Sequence, residues 1–266
     1  MEMLKGKNAV LYGVSDSLGG AVAKAFAAQG AIVYLTALDI IKVSKVSEEI
    51  NGSGGTAYAA VVDAMDREAV EEHIRAMRAK GTVDITFNLI DTKSKQNIPL
   101  VDMEQADFSR PVEIAMKSQF ITMSAAGRIM REQRSGVILS LTATPADMAY
   151  PMVGGFGPAC AAMESLVRGL GSELGVYGVR VVNIRSAGSP DSRPFREALQ
   201  EAGTEVPEFL QKMKDDTMLK ELPLMKDIAN TAVFLASDMA AMITGVTVDV
   251  TAGTTTALNY RMPKNS

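Results

Sequence analysis

Short apolar runs alternate along the chain with longer segments in which apolar residues recur every three or four positions. Uninterrupted apolar runs are typical of strands buried in a parallel sheet, whereas the longer period indicates helices with one buried face. The runs predict strands at 7–12, 31–36, 56–62, 83–88, 136–142 and 179–184. Because helical patterns separate these strands, the chain is predicted to form one α/β domain with a parallel sheet.

Composition excludes several classes of function. A chain of 266 residues, 47% hydrophobic and 22% charged, can bury one sizeable core without an internal linker. The net charge is −4 with acids and bases interspersed, so a nucleic-acid surface is not expected. The single cysteine and the lack of a long apolar N-terminal run favour a cytoplasmic protein. No apolar stretch approaches the roughly 20 residues that cross a bilayer, so no membrane segment is expected.

A glycine-rich turn lies between the first predicted strand and the helical pattern at 21–30. It runs from Gly13 to Gly20. In such a turn, free backbone N–H groups and the helix dipole attract an anion, and missing Cβ atoms let a phosphate approach. The alternative, a tight turn that binds no ligand, stays open from the sequence.

The second half of the chain predicts a strand, a long loop and a helix that stops at Gly178 before the next strand. With the glycine-rich turn, this order resembles the short-chain dehydrogenase/reductase superfamily. The likeness covers residues 5–253 and is most specific near the end, where Asp227–Asp238 and Ile243–Val246 follow the family's last helix and last strand.

The resemblance implies a fold and a domain organisation. We expect an α/β fold with a doubly wound, Rossmann-type parallel sheet and helices on both faces. Residues 1–266 are expected to form this single domain, with 189–224 as a lid over a substrate pocket.

The resemblance also assigns four positions to catalysis, where the family has Asn, Ser, Tyr and Lys. This chain has Ala115, Ala143, Phe156 and Cys160 there. In the enoyl reductase variant the tyrosine lies further upstream, and Val153 occupies that position. The resemblance therefore implies a degenerate active site. Cys160 has no histidine partner in the pattern, so we interpret it as a buried structural thiol rather than a nucleophile.

Three other residues are weak candidates for a substitute acid. Tyr150 and Asp147 lie in the loop before the helix, and Asp91 follows a central strand. A tyrosine between alanine and proline is more typical of packing, and an aspartate after a strand more often turns a loop toward solvent.

The family's way of binding NAD or NADP implies a further set of residues, and no metal site is predicted. Ser17 stands where the family has its middle glycine, which places a Cβ atom near the cofactor. The set comprises Gly13, Ser15, Ser17, Leu18, Gly19, Asp63, Ala64, Asn88, Ala187, Gly188 and Ser192.

The sequence does not indicate whether the chain prefers NAD or NADP. Ala37 and Leu38 occupy the positions after the second strand where an acid or a base usually contacts the ribose. Asp39 follows and is interpreted as the cap of the helix at 40–50, with a ribose contact as the alternative. NAD, NADP and the absence of any dinucleotide all stay open.

The only histidine, His73, lies in a charged helical pattern and is interpreted as a surface residue. Helices are predicted at 108–116 and 117–134. The resemblance implies that the second of these and the helix at 158–177 build the interface of a homo-oligomer, a dimer or a tetramer.

Two functions from different classes remain open. The first is an oxidoreductase with a degenerate site that reduces activated alkenes or carbonyls of a small molecule. The second is a catalytically inactive protein that binds a dinucleotide or another small ligand, or serves as a partner subunit. Whether the chain is an enzyme is therefore not settled by its sequence.

Overall fold

The computed structural model describes residues 2–193, 195–197 and 206–256. The strands are β1 Asn8–Tyr12, β2 Ile32–Ala37, β3 Thr56–Val61, β4 Ile85–Asn88, β5 Gly136–Ala143, β6 Val179–Ser186 and β7 Val246–Val250. The α-helices are α1 Leu18–Ala28, α2 Ile40–Gly52, α3 Arg67–Arg78, α4 Gln105–Gln133, α5 Phe156–Leu174, α6 Val206–Asp215 and α7 Met225–Ala236.

The seven strands form one parallel sheet in the order β3-β2-β1-β4-β5-β6-β7. The chain moves outward from β1 to β3, crosses back to β4 beside β1, and then continues to the other edge. This reversal between β1 and β4 opens a crevice at the carboxyl ends of the strands, where ligands bind in folds of this type. The predicted doubly wound α/β fold is confirmed.

Two apolar cores cover the two faces of the sheet. One lies under α1, α2 and α7 and includes Phe26 and Ile228. The other lies under α3, α4 and α5 and includes Ile74, Ile121 and Val167. Since both faces of the central strands are buried, their uninterrupted apolar sequence follows from the architecture.

The predicted cap of the helix at 40–50 is confirmed, and α3 has a cap of the same kind. The carboxylate of Asp39 accepts hydrogen bonds from the N–H groups of Ile41 and Lys42 at 3.0 and 3.4 Å. Asp66 caps α3 through Glu68 and Ala69. In each helix the side chain satisfies N–H groups that have no partner within the first turn.

The prediction of two helices at 108–116 and 117–134 is wrong, because α4 is one helix that contains Pro111. The missing proline N–H removes one backbone hydrogen bond near the start of this helix. A buried face that continues through Ala115, Ile121 and Met130 favours the unbroken helix.

The end of α5 agrees with the prediction. A short 3₁₀ turn at Gly175–Tyr177 leads into Gly178, which has φ of +74°. Only part of the expected lid lies within the described residues, since 194 and 198–205 fall outside them. No helix of the described chain has both the length and the apolar character needed to span a membrane.

The turn after β1 depends on a close backbone contact. Gly13 has φ of +77°, and a Cβ atom there would lie 2.8 Å from the Cα atom of Ile90 in the loop after β4. Gly6 has a similar φ of +73°, but a Cβ atom there would have no neighbour within 4 Å.

We expect Gly13→Ala to lower the free energy of unfolding by about 2 to 4 kcal/mol, and Gly6→Ala by about 1 kcal/mol. Both variants incur left-handed backbone strain, but only the first forces β1 and β4 apart. Urea unfolding of both variants measures the difference. Equal losses of unfolding free energy in the two variants would show that a Cβ atom at position 13 does not clash with Ile90.

Candidate functional site

The crevice is bordered by the segments that follow β1, β4, β5 and β6. The glycine-rich turn from Gly13 to Gly20 forms one wall. Among the described residues, no side chain caps the first turn of α1, and no residue within that first turn is acidic. Across the described residues, the N–H groups of Leu18, Gly19 and Gly20 have no hydrogen-bond acceptor. These N–H groups and the helix dipole give this wall an affinity for anions.

Ser17 and Asp16 connect this turn to the segment that follows β6. The hydroxyl of buried Ser17 accepts a hydrogen bond from the N–H group of Arg193 at 3.0 Å. The Arg193 guanidinium donates to the Asp16 carboxylate at 2.6 Å. The serine that replaces a glycine therefore joins two walls of the crevice.

The predicted cofactor residues at the ends of β3 and β4 make local contacts. The Asp63 carboxylate accepts the N–H group of Met65 at 2.8 Å, and Ala64 is buried. Asn88 is buried and donates from its amide nitrogen to the hydroxyl of Thr122 on α4 at 2.8 Å. Asn88 thus fixes α4 against the centre of the sheet.

The turn after β6 contains Ala187, Gly188 and Ser192. A Cβ atom at Gly188 would lie 2.5 Å from the ring of Phe195, so this glycine allows the following segment to fold back. The N–H group of Ser192 donates to the carbonyl of Ser189. The Ser189 hydroxyl is buried and has no hydrogen-bond partner among the described residues.

The ribose side of the crevice has no free charged group next to β2. Leu38 is 71% exposed, and Ile40 and Ile41 are exposed beside it. Asp39 is engaged as the cap of α2 and pairs with Lys42 at 3.6 Å. Exposed apolar side chains therefore occupy the position at which this fold usually contacts the ribose of a dinucleotide.

The four positions assigned to catalysis converge in space, although they come from α4, β5 and α5. Ala115 and Cys160 are buried in one apolar cluster, with Ala143 and Phe156 packed against it. We call these four residues the apolar cluster. Burial raises the pKa of the Cys160 thiol to about 11, so the thiol is neutral at pH 7. This agrees with a structural role for Cys160 and gives the cluster no charged group.

A network of buried polar residues lies one helical turn along α5 from Cys160. The Glu164 carboxylate accepts two hydrogen bonds from Arg185, at 2.9 and 2.7 Å, and one from Thr142 at 2.9 Å. Asn183 donates to the Thr142 hydroxyl at 2.7 Å. We call Thr142, Glu164, Asn183 and Arg185 the arginine network.

Two further carboxylates lie near the outer side of this network. Asp147 and Asp249 each lie 3.3 Å from one guanidinium nitrogen of Arg185. Hydrogen bonding to Glu164 is the main reason that the pKa of Arg185 is raised above its ordinary value, and these carboxylates contribute. This network was not predicted from the sequence. Its signal was the presence of Thr142, Asn183 and Arg185 in β5 and β6, two largely buried strands that also contain Ser140 and Arg180.

The three candidate substitute acids do not join the apolar cluster through any hydrogen bond. Asp147 is paired with Arg185. The Asp91 carboxylate accepts from the ammonium of Lys93 at 2.8 Å and from its N–H group at 2.9 Å. Burial works to raise the pKa of Asp91, but the bonds from Lys93 and the charge of Arg193 hold it below its ordinary value. The Tyr150 hydroxyl lies 3.7 Å from the sulfur of Met148.

The interpretation of His73 as a surface residue is wrong. Its ring packs edge-on against Tyr12, with 6.5 Å between the ring centroids, and its buried Nδ1 atom has no hydrogen-bond partner among the described residues. Burial, with a contribution from Lys80, lowers the pKa of His73. The amphipathic face of α3 carries His73 toward the sheet, which its charged neighbours concealed in the sequence.

Comparison with known proteins agrees with this fold. The family described as enoyl-(acyl carrier protein) reductase has a model that matches residues 13–255. The chain belongs to the short-chain dehydrogenase/reductase superfamily. It is 30% identical to the 7alpha-hydroxysteroid dehydrogenase of Escherichia coli strain K12, over 96% of this chain and 97% of that protein.

The chain is also similar to two further proteins, one compared by sequence and one by structure. The chain is 30% identical to the L-rhamnose 1-dehydrogenase (NAD(P)(+)) of Azotobacter vinelandii, over 94% of the chain and 97% of that enzyme. It also superposes on the crystal structure of a 3-oxoacyl-[acyl-carrier protein] reductase from Brucella melitensis with a TM-score of 0.85. That comparison has 25% identity and covers 96% of this chain and 94% of the other.

The two sides of the arginine network are expected to respond differently to substitution. Arg185→Met leaves the Glu164 carboxylate, whose side chain is 6% exposed, without a cationic partner. Glu164→Gln leaves Arg185 with Asp147 and Asp249. We expect losses of about 3 to 5 kcal/mol for Arg185→Met and about 1 to 3 kcal/mol for Glu164→Gln in urea unfolding at pH 7. A larger loss for Glu164→Gln than for Arg185→Met would contradict this interpretation of the network.

Cys160 is expected to resist thiol reagents in the folded protein. With a pKa of about 11, its thiolate fraction at pH 8 is more than about 50-fold below that of an unfolded cysteine. Labelling by a disulfide reagent should therefore be slow in buffer and fast in urea. Equal rates in the two conditions would mean that the thiol is accessible and ionised.

Proposed function

We propose that this chain binds a nicotinamide dinucleotide in its crevice and does not perform the ordinary carbonyl reduction of its family. The observation that carries this proposal is the convergence of Ala115, Ala143, Phe156 and Cys160 into one apolar cluster. On this proposal the active site is degenerate, and the protein acts by holding its ligand.

The chemistry of carbonyl reduction explains why the apolar cluster matters. Reduction of a ketone needs a group that gives a proton to the developing alkoxide. Alanine and phenylalanine have no such proton, and the Cys160 thiol is buried with a raised pKa. Glu164 and Arg185 hydrogen-bond each other, so neither is available to replace the missing acid.

The residues of the crevice fit a dinucleotide at its diphosphate. When bound, the nicotinamide group supplies a hydride or accepts one. The free N–H groups of Leu18, Gly19 and Gly20 suit the diphosphate, and the unpartnered Ser189 hydroxyl offers a further hydrogen bond. The proposed binding residues are Gly13, Ser15, Ser17, Leu18, Gly19, Asp63, Ala64, Asn88, Ala187, Gly188 and Ser192.

The proposal gives no strong preference between NAD and NADP. An acidic residue would favour the free ribose hydroxyl and a basic one the 2′-phosphate. Leu38 provides neither, and Asp39 is occupied at the start of α2. We therefore expect affinities for the two dinucleotides that differ by less than about tenfold.

The second candidate is an oxidoreductase that reduces an activated alkene, and the match to the enoyl reductase family favours it. An alkene conjugated to a carbonyl needs less proton assistance at the oxygen. Tyr150 is the best remaining donor, because Asp91 and Asp147 are each paired with a cation. Within the described part of the chain, the one hydrogen-bond contact of its hydroxyl is with the sulfur of Met148.

We also propose an oligomeric state, a cellular location and a lid for this protein. A homo-oligomer is supported by the side-by-side packing of α4 and α5, with Phe108 exposed on α4 near the start of α5. A cytoplasmic location is inferred from the single reduced cysteine. A lid at 189–224 would cover a small-molecule ligand beside the crevice.

Thermal unfolding with NAD⁺, NADH, NADP⁺ and NADPH tests the binding. A ligand at 100 times its dissociation constant stabilises the folded protein by about 2.7 kcal/mol. We expect stabilisation by at least one dinucleotide and no oxidation of NADH or NADPH with simple ketones. The absence of any thermal shift would refute the proposal, and rapid ketone reduction would refute the loss of catalysis. Reduction of enones that falls in Tyr150→Phe would favour the second candidate.

A variant of the turn tests where the ligand lies. Leu18→Pro removes one free N–H group at the first position of α1, where proline is tolerated. We expect it to weaken dinucleotide binding about tenfold in calorimetry, while Leu18→Ala, which keeps the N–H group, changes binding less than about threefold. Equal affinities in the two variants would place the diphosphate elsewhere.

A further inference from the structure

Arg193 contacts the glycine-rich turn with both its backbone and its side chain. Its N–H group donates to the Ser17 hydroxyl at 3.0 Å, and its guanidinium donates to Asp16 at 2.6 Å. Asp191 accepts the N–H group of Met225 at the start of α7 at 3.0 Å. The segment after β6 is thus held against the turn by Arg193 and against the start of α7 by Asp191.

The charges around Arg193 are mostly negative. Asp16 lies within hydrogen-bond distance, Glu197 lies at 3.8 Å, and Arg193 contributes to the lowered pKa of Asp91. A doubly charged diphosphate at the turn would meet the Asp16 carboxylate. Its binding therefore needs a cation near Asp16, and Arg193 is the cation that already contacts this carboxylate.

We infer that Arg193 exchanges its partner from Asp16 to the diphosphate of the bound dinucleotide. This inference rests on the proposed function and names the residue that recognises the ligand's charge. The Arg193 side chain is 36% exposed and that of Asp16 is 52% exposed, so their pairing is weak and reversible. A diphosphate offers two or more oxygens to the planar guanidinium, which binds such groups better than a single carboxylate oxygen.

The exchange makes Asp16 a competitor of the ligand. Asp16 holds Arg193 in the free protein and releases it when the diphosphate binds. Removal of the aspartate charge should therefore strengthen diphosphate binding, and removal of the arginine charge should weaken it. A purely structural role for the pair predicts that both changes weaken binding.

Isothermal titration with ADP and adenosine separates these cases. We expect Arg193→Gln to weaken ADP binding about tenfold and adenosine binding less than twofold, because only ADP has the diphosphate. Asp16→Asn should tighten ADP binding about two- to fivefold. Arg128→Gln, which breaks an exposed pair with Glu71 on α3, is the matched control and should change neither.

The outcomes distinguish the inference from the proposed function. If the wild-type protein binds none of the four dinucleotides, the proposed function fails and the inference fails with it. If a dinucleotide binds but Arg193→Gln keeps wild-type affinity for ADP, only the inference fails. Equal weakening of ADP and adenosine, or weaker ADP binding by Asp16→Asn, would show that the pair only supports the fold.

Discussion

Every strand of the sheet is parallel to its neighbours, so every segment that follows a strand emerges at the same edge. This constraint brings Gly13, Asn88, Ala143 and Ala187 together, although they are far apart in the sequence. The reversal between β1 and β4 then requires the turn after β1 to lie against the loop after β4. Gly13 allows this because a Cβ atom would not fit beside Ile90.

The interior separates polar from apolar chemistry over a short distance on α5. Cys160 belongs to the apolar cluster, and Glu164, one turn later, is the centre of the arginine network. A buried carboxylate without hydrogen-bond donors would destabilise the folded state. Thr142 and Arg185 prevent this because together they donate hydrogen bonds to both oxygens of Glu164. The charged groups nearest the apolar cluster are thereby committed to the fold.

Much of this structure was predictable because its causes are local. Apolar runs predicted the strands, and Asp39 predicted the start of α2. The family resemblance fixed the register of the catalytic positions closely enough that Ala115 and Cys160 are found in one cluster. The convergence itself needs the whole fold, since α4, β5 and α5 all contribute.

The interactions that escaped prediction join distant parts of the chain. Nothing in the sequence of β6 indicates a partner for Arg185, and it is α5 that places Glu164 against it. The charged neighbours of His73 in the sequence predict a surface position, but α3 places its ring against Tyr12. Asp16 and Arg193 are 177 positions apart, and neither has a neighbour in the sequence that suggests the other.

The chain uses the same chemical pair, an arginine and a carboxylate, for two purposes that burial separates. The side chains of Arg185 and Glu164 are 11% and 6% exposed, so loss of either partner leaves a charge in a poorly solvated site. Arg193 and Asp16 remain in contact with water, which solvates both groups when they separate. A residue that must change partners during binding can only be of the second kind. Burial therefore suits Arg185 to stabilising the fold, and the exposure of Arg193 suits it to the exchange of partners that we infer.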